Sequence, residues 1–420
     1  MLASGDRPKI SPRISVVIPT YNRSALLHET LRQLTRQTLP ADQFEVIVAD
    51  DGSDDDTKAV AESFSGELRL KYCFQEDLGC RAGTARNLGA RLAAAPILCF
   101  LDTGAMAGRE FLSRHLAEHC DAGGDPGEHC AIIGYAHNYN PDHPVQEVGE
   151  FIGRMTPEEI VERFRDHPGF VDVRYKHYAE CGFDLNTRAV PWNLLYTVNF
   201  SCRAEDFRAI GGFDDAFRGW GGEDMELGFR LYRHGVPFRI SMDAWVIETP
   251  HERNMEVGLQ ELAGNILYYV QKFPEPVMEI GSALVGVGLP FFDWNSEYHN
   301  LTQWSRQVRD LTVADELAEA MRGVPAGDQV AVLGSGGVLP DSLPPVIAMD
   351  FDRDLLDQAV ATGQHVGHHS MGLRTPLADQ SVDTVIITSR MAGLWDRWND
   401  NLMREANRIS RNVVRTFAEA

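Results

Sequence analysis

The chain has 420 residues, 44% of them hydrophobic, and sets 39 basic against 61 acidic side chains for a net charge of −22. Such a chain can form two or three domains with full cores and is too apolar for a disordered tail. Its field repels nucleic-acid backbones and anionic membrane surfaces, so neither is expected as a partner. An anionic nucleotide-sugar can bind only where arginines, a helix N-terminus or a metal offset that field locally.

The seven cysteines (Cys73, Cys80, Cys99, Cys120, Cys130, Cys181 and Cys202) make no CxxC pair, so reduced thiols are expected. The start "MLASGDRPKISPR" is polar, and no apolar run reaches the roughly 18 residues of a membrane span. A soluble, cytoplasmic protein is the expectation.

In chain order, "ISVVIPTY" reads as a strand, and "SALLHETLRQLTRQT" as a helix with Leu27, Leu31 and Leu34 on one face and Ser24 as N-cap. "FEVIVADDGSDDDT" is a second strand that ends in acids, followed by the helix "TKAVAESFSG". "LRLKYCF" and "AGTARNLGARLAAA" repeat the pattern, and "PILCFLD" is a fourth strand. The alternation predicts βαβ units and a mainly parallel sheet, with its crevice beyond the carboxyl ends where Asp50, Asp51 and Asp102 fall. Residues 125–200 read as an irregular, substrate-facing insert. A Pro- and Gly-containing linker is expected over 276–310, between a first domain over 1–275 and a second α/β pattern over 311–420.

Four stretches carry candidate chemistry. In "VADDGSDDDT" an acid before the glycine turn can accept a uracil N3–H; the plain alternative is a turn in which Asp54 or Asp55 caps the next helix. In "GWGGEDMELGFRLYRHG" Gly219, Gly221 and Gly222 allow close backbone approach, and Trp220 offers a flat face to a sugar ring. Glu223 and Asp224 open a helix that Gly235 ends, where the dipole favours ionised acids and so a general base. Simple capping with a Glu226–Arg230 pair is the alternative, and it leaves the Trp and the glycines unexplained. In "CRAGTARNLGARL" Arg81, Arg86 and Arg91 suit a diphosphate, or solvate a helix face. His251 in "VIETPHERN" follows an apolar run, where a lone histidine is more often structural than a ligand.

Taken with "VVIPTYNR", "RAGTARNLGA" and "FLDTGAM", these stretches resemble, in order, an inverting family 2 glycosyltransferase of the GT-A type over residues 12–275. The likeness is strongest to the branch of galactosyltransferases and chondroitin-polymerase domains. It implies that Pro19 and Tyr21 line the nucleotide pocket, Asp51 binds uracil and Arg81 the diphosphate; Trp220, by its flat face, is expected to meet donor and acceptor. Asp102 takes the first position of the D-x-D motif, Asp224 is the base, Glu223 an acceptor ligand, and His251 completes a metal site. The second D-x-D acid is replaced by Gly104, which implies a weakened site for Mg²⁺ or Mn²⁺.

The implied reaction moves a hexose, with UDP-glucose as donor, to a hydroxyl of a small aminocyclitol acceptor rather than onto a polymer. The insert with Asp172, His177, Tyr178 and Asp184 is the expected place to read that acceptor, with His177 and Tyr178 as contacts. Residues 311–420 resemble a truncated class I methyltransferase, with "VAVLGSGG" as glycine loop and Asp350 and Asp352 as ribose acids. The first motif lacks its acid, so a degenerate docking or stability domain is expected. The rivals are a polysaccharide-building transferase, a non-catalytic carbohydrate-binding module, and a SAM-dependent methyltransferase with a sugar-binding first domain.

Overall fold

A computed structural model describes residues 11–120, 127–140, 143–251, 255–286 and 293–418. The polar start at 1–10, the end of "ETPHERN" at 252–254, part of the insert at 141–142 and the linker residues 287–292 lie outside the described residues. The chain forms two compact units, 1–265 and 266–420.

The first unit runs β1 (Ile14–Thr20), α1 (Ser24–Leu34), β2 (Phe44–Asp50), α2 (Thr57–Ser63), β3 (Leu70–Phe74), α3 (Ala82–Leu92) and β4 (Ile97–Leu101). It continues with β5 (Ala105–Ala107), α4 (Phe111–His119), β6 (Ala131–His137), α5 (Pro157–Phe164), α6 (Tyr175–Glu180), β7 (Asn199–Arg203), α7 (Ala204–Ala209), α8 (Glu223–Arg233), β8 (Phe238–Glu248) and α9 (Met255–Lys272). The unit boundary falls inside α9.

The strands form one sheet in the order β3-β2-β1-β4-β7-β6-β8-β5. β3, β2, β1 and β4 are parallel, as the alternation predicts. Every residue of β2 and β4 is buried, as both-face coverage of parallel strands requires. The other half departs from the expectation: β7 runs antiparallel to β4 and β6, and β5 antiparallel to β8, so the sheet is mixed. The irregular insert, not a crossover helix, precedes β7, so no βαβ rule fixes its direction.

Leu27, Leu31 and Leu34 form the buried stripe of α1. Ser24 is its first helical residue rather than its cap, and its N–H donates to Asp55 Oδ2 at 3.0 Å. Asp55 Oδ1 also accepts the Thr57 N–H at 2.9 Å, so one carboxylate ties the starts of α1 and α2 together.

The second unit holds α10 (Pro276–Gly286), α11 (Trp294–Gln307), α12 (Ala314–Met321), β9 (Val330–Leu333), β10 (Ile347–Asp350), α13 (Arg353–Ala359), β11 (Val366–His369), β12 (Val382–Ile387), α14 (Ala392–Ile409) and β13 (Ser410–Arg415). The stretch expected as a linker over 276–310 therefore carries two helices, and Trp294 pins them by donating from Nε1 to the Val277 carbonyl at 2.5 Å. The sheet is wholly parallel in the order β11-β10-β9-β12-β13, with its switch point between β9 and β12.

That switch point is filled by the unit's own side chains. Asp350 accepts from Arg390 Nε at 2.9 Å and Nη2 at 3.1 Å, and both side chains are fully buried. A Cβ on Gly334 would lie 2.7 Å from Thr388 Oγ1, and one on Gly336 would lie 3.3 Å from Arg390 Cδ. Asp352, the other ribose candidate, caps α13 through the Leu355 N–H at 3.2 Å. Beside them Glu279 of α10 is buried and accepts the N–H groups of Met371, Leu373 and Arg374 at 3.2, 2.7 and 3.2 Å. No helix among the described residues is long and apolar enough to cross a membrane.

Candidate active site

The two acids after β2 do different work. Asp50 is buried and builds the turn: Oδ1 accepts the Gly52 and Ser53 N–H groups at 3.1 and 2.7 Å, and Oδ2 the Tyr72 hydroxyl at 2.6 Å. Gly52 sits at φ +100°, where a Cβ would lie 2.5 Å from Asp77 N, so no other residue fits this turn unchanged. Asp51 accepts the Arg81 backbone N–H at 2.7 Å and Gln75 Nε2 at 2.5 Å. The Arg81 guanidinium lies 3.9 Å from Asp51 and donates to the Glu76 carbonyl, while its Nε finds no hydrogen-bond partner. Tyr21 is exposed, and its hydroxyl donates to Asp77 Oδ2 at 3.0 Å. The Pro19 carbonyl accepts from Thr103 Oγ1 at 2.9 Å, which joins the ends of β1 and β4.

Asp102 keeps a third of its side chain exposed (34%) and accepts from Arg86 Nη2 at 2.8 Å. The other arm of that guanidinium, Nη1, donates to Glu223 Oε1 at 3.2 Å. Arg86 is buried on the small-residue face of α3, with Gly83, Gly89 and Ala90, and sits 5.5 Å from the Phe213 ring. Burial opposes its charge, but Asp102 and Glu223 outweigh it and raise its pKa. Sequence reasoning placed Arg86 only in a cluster of arginines. The signal it missed is that face, because an arginine flanked by glycine and alanine at helical spacing is buried and must be paired.

The acids at the start of α8 are unequal. Glu223 Oε2 is buried with no hydrogen-bond partner, while Oε1 takes Arg86. Asp224 Oδ1 accepts its neighbour's N–H, that of Met225, at 2.8 Å. Its carboxyl is pushed up to about 7, by burial first and then by the Glu223 charge, against the opposing pull of Arg86. Burial thus opposes the ionised state that the helix dipole favours, and both forms are populated near neutral pH. The capping alternative is also present: Arg230 Nε donates to buried Glu226 at 2.6 Å, and Gly235, at φ +83°, follows the end of α8. Trp220 stands at the loop with 39% of its surface exposed.

Gly104 has φ +99°, and its N–H donates to Thr30 Oγ1 at 2.9 Å. A Cβ there would meet nothing closer than 3.5 Å, so the backbone conformation rather than space disfavours a second acid. Ala105 pairs with Glu248 across antiparallel β5 and β8, and Thr249 N–H donates to the Gly104 carbonyl at 3.1 Å. Asp102 lies in the turn that leads into β5, its carbonyl accepting the Ala105 N–H at 3.1 Å, and His251 follows the end of β8 by three residues. His251 Nδ1 lies 2.9 Å from the Thr249 carbonyl, which assigns the proton to Nδ1 and the lone pair to Nε2, as a metal ligand requires. A partly exposed carboxylate at Asp102 and an imidazole at His251 are donor types that suit a divalent ion. Among the described residues no three His, Cys, Asp or Glu side chains converge to hold a metal without substrate oxygens.

The insert contradicts part of its expected role. Tyr178 is fully buried, 5.6 Å from the Arg174 guanidinium, and cannot touch an acceptor. Asp172 is buried too, paired with Arg174 at 2.7 Å inside a cage of Tyr139, Tyr178 and Tyr196. Tyr139 and Tyr196 of that cage pack against the main hydrophobic core of the first unit, so these residues tie the insert to it. Partly buried His177 lies 2.9 Å from Glu180 through Nδ1, and Asp184 accepts the Asn186 N–H at 3.0 Å as a local cap.

The sequence profile of glycosyl transferase family 2 matches residues 15–174, and that of the N-terminal domain of galactosyltransferase matches residues 179–251. The chain is 42% identical over 417 residues to the validoxylamine A glucosyltransferase of Streptomyces hygroscopicus subsp. jinggangensis, with 96% of each chain covered. It is equally identical, 42% over 417 residues, to the validoxylamine A glucosyltransferase of Streptomyces hygroscopicus subsp. limoneus, covering 96% of this chain and 90% of that one. Its identity to the chondroitin synthase of Escherichia coli is 30% over 279 residues, covering 62% of this chain and 39% of that one.

Proposed function

From the premise that this chain belongs to glycosyl transferase family 2 and has its GT-A fold, we propose that it transfers glucose from UDP-glucose to a hydroxyl of validoxylamine A, giving validamycin A. The donor and acceptor rest on the 42% identity to transferases of that name over nearly the whole chain. The residue roles rest on one observation. The raised carboxyl of Asp224 sits beside Glu223, which Arg86 ties to Asp102 at the end of β4.

Asp224, once ionised, accepts the proton of the acceptor hydroxyl as that oxygen attacks C1 of the α-linked sugar. The C1–O bond to the diphosphate breaks, and its electron pair leaves with UDP. In-line attack inverts the centre, so the product is a β-glycoside. Asp51 receives the uracil with Pro19 and Tyr21 alongside, and Arg81 faces the diphosphate. Glu223 Oε2, the buried oxygen without a partner, takes a hydrogen bond from the acceptor, and Trp220 stacks on a sugar ring. Asp102 and His251 would hold a divalent cation that supplies Lewis-acid stabilisation of the departing diphosphate.

The test is UDP release from UDP-glucose with and without validoxylamine A, in Mg²⁺ or Mn²⁺. Acceptor-dependent release that Asp224→Asn abolishes while UDP still binds supports the reading. Release indifferent to the acceptor, or near-normal turnover in the variant, overturns it.

A further inference from the structure

The loop Arg218–Gly222 delivers Trp220 and the two acids, yet three of its five residues are glycines held at φ +74°, +89° and +92°. Glycines in this region gain no rigidity from their own side chains, so order in such a loop must come from outside it. We infer that one face of α9 is the positioning element for this loop, with Glu261 and Asn265 as its polar contacts; the inference rests on the catalytic reading above.

Gly258, Glu261, Leu262 and Asn265 follow the i, i+3, i+4, i+7 spacing of a single helix face. Glu261 Oε2 accepts the Trp220 N–H at 2.7 Å. Asn265 Nδ2 donates to the carbonyls of Arg218 and Gly221 at 2.9 and 2.7 Å, and its Oδ1 receives the Arg218 N–H at 3.4 Å. Asn265 thus brackets Trp220 on both sides while Glu261 holds its backbone.

The packing has the same address. A Cβ on Gly219 would lie 2.5 Å from Glu261 Cδ, and one on Gly221 would lie 2.9 Å from Leu262 Cδ1. A Cβ on Gly258 would lie 3.0 Å from the Trp220 ring. On the opposite side the Gly219 N–H donates to the Cys80 carbonyl at 3.0 Å, next to Arg81. The loop is therefore clamped between α9 and the segment carrying the diphosphate arginine. Removing either polar contact should let Trp220 and the start of α8 drift, and displacements on the order of 1 Å cost about 100-fold in rate.

The experiment compares Glu261→Ala, Glu261→Gln and Asn265→Ala in the full chain, at a temperature where circular dichroism shows each folded. The first readout needs no substrate: hydrogen exchange in the peptide spanning residues 217–225. We expect exchange about tenfold faster in both alanine variants and near wild type in Glu261→Gln, which keeps an acceptor oxygen. The second is turnover of UDP-glucose with validoxylamine A. We expect kcat to fall roughly 10- to 100-fold in the alanine variants, the donor KM to change less than about threefold, and Glu261→Gln to restore most of the loss. Unchanged exchange and kcat in both alanine variants overturns the inference, as does a loss that Glu261→Gln fails to restore. If Asp224→Asn turns over normally while the alanine variants still loosen the loop, the base assignment fails and the positioning role stands.

Discussion

Each unit places an acid at the carboxyl end of a parallel strand beside its sheet's switch point, and the two acids have opposite fates. In the first unit Asp102 keeps a third of its side chain (34%) in solvent, and its neighbour across Arg86, Glu223, has a buried oxygen with no partner. In the second unit Asp350 and Arg390 are both wholly buried against each other, and Glu279 takes three backbone N–H groups. Of these two acids, Asp102 keeps hydrogen-bonding capacity and solvent access for a ligand, whereas the chain itself satisfies Asp350 and makes it core.

Substitutions of matching acids should separate the two crevices. Asp224→Asn should lower turnover by about a thousandfold while UDP affinity, followed by titration calorimetry, stays close to wild type. Asp350→Ala should do the reverse. Denaturant unfolding should show a loss of about 3–5 kcal/mol, since Arg390 is left buried without its anion, and turnover of the folded protein should persist. Equal turnover losses in both variants would erase the distinction.

Acidity sharpens the same contrast. Asp224 titrates near 7 and must be ionised to accept a proton, so kcat/KM should rise about tenfold per pH unit below that value and level off above it. Elsewhere in the first unit, burial lowers His115 to about 4, His119 to about 3 and His137 to about 4. Each ring is neutral when folded and charges on unfolding near 6.5. Each should therefore cost about 1.4 kcal/mol of stability per pH unit as pH falls from 6.5 towards those values, measurable by urea titration across that window. The smallest expected effect is none: S-adenosylmethionine added to the protein should give no saturable heat, because the crevice of the second unit is already filled. Binding there would break the comparison outright.

Much of the framework is legible from spacing alone. The leucine stripe of α1, the buried runs of β2 and β4, and the Glu226–Arg230 pair with Gly235 after α8 all stand where periodicity and end signals put them. The mixed half of the sheet is not legible, because an irregular insert carries no period from which to read a strand direction. Within the insert, Asp172 and Tyr178 look like a polar, aromatic surface in one dimension and prove to be a buried ion pair and its cage. The α9 clamp is equally invisible, since Glu261 and Asn265 are ordinary polar residues until a loop about forty residues earlier lies against them.

By itself the sequence determined which residue types end each strand and open each helix: the acids at 51, 102, 223 and 224, the glycines that permit the loop, and an acidic field that only local cations can offset. Those are properties of neighbours along the chain. Tertiary structure decided which carboxylates keep an oxygen for a ligand and which acid is held near neutrality, and it tied Asp102 to Glu223 through Arg86. Partnership and desolvation depend on what surrounds a group in space, and the surrounding residues come from elements far apart in sequence.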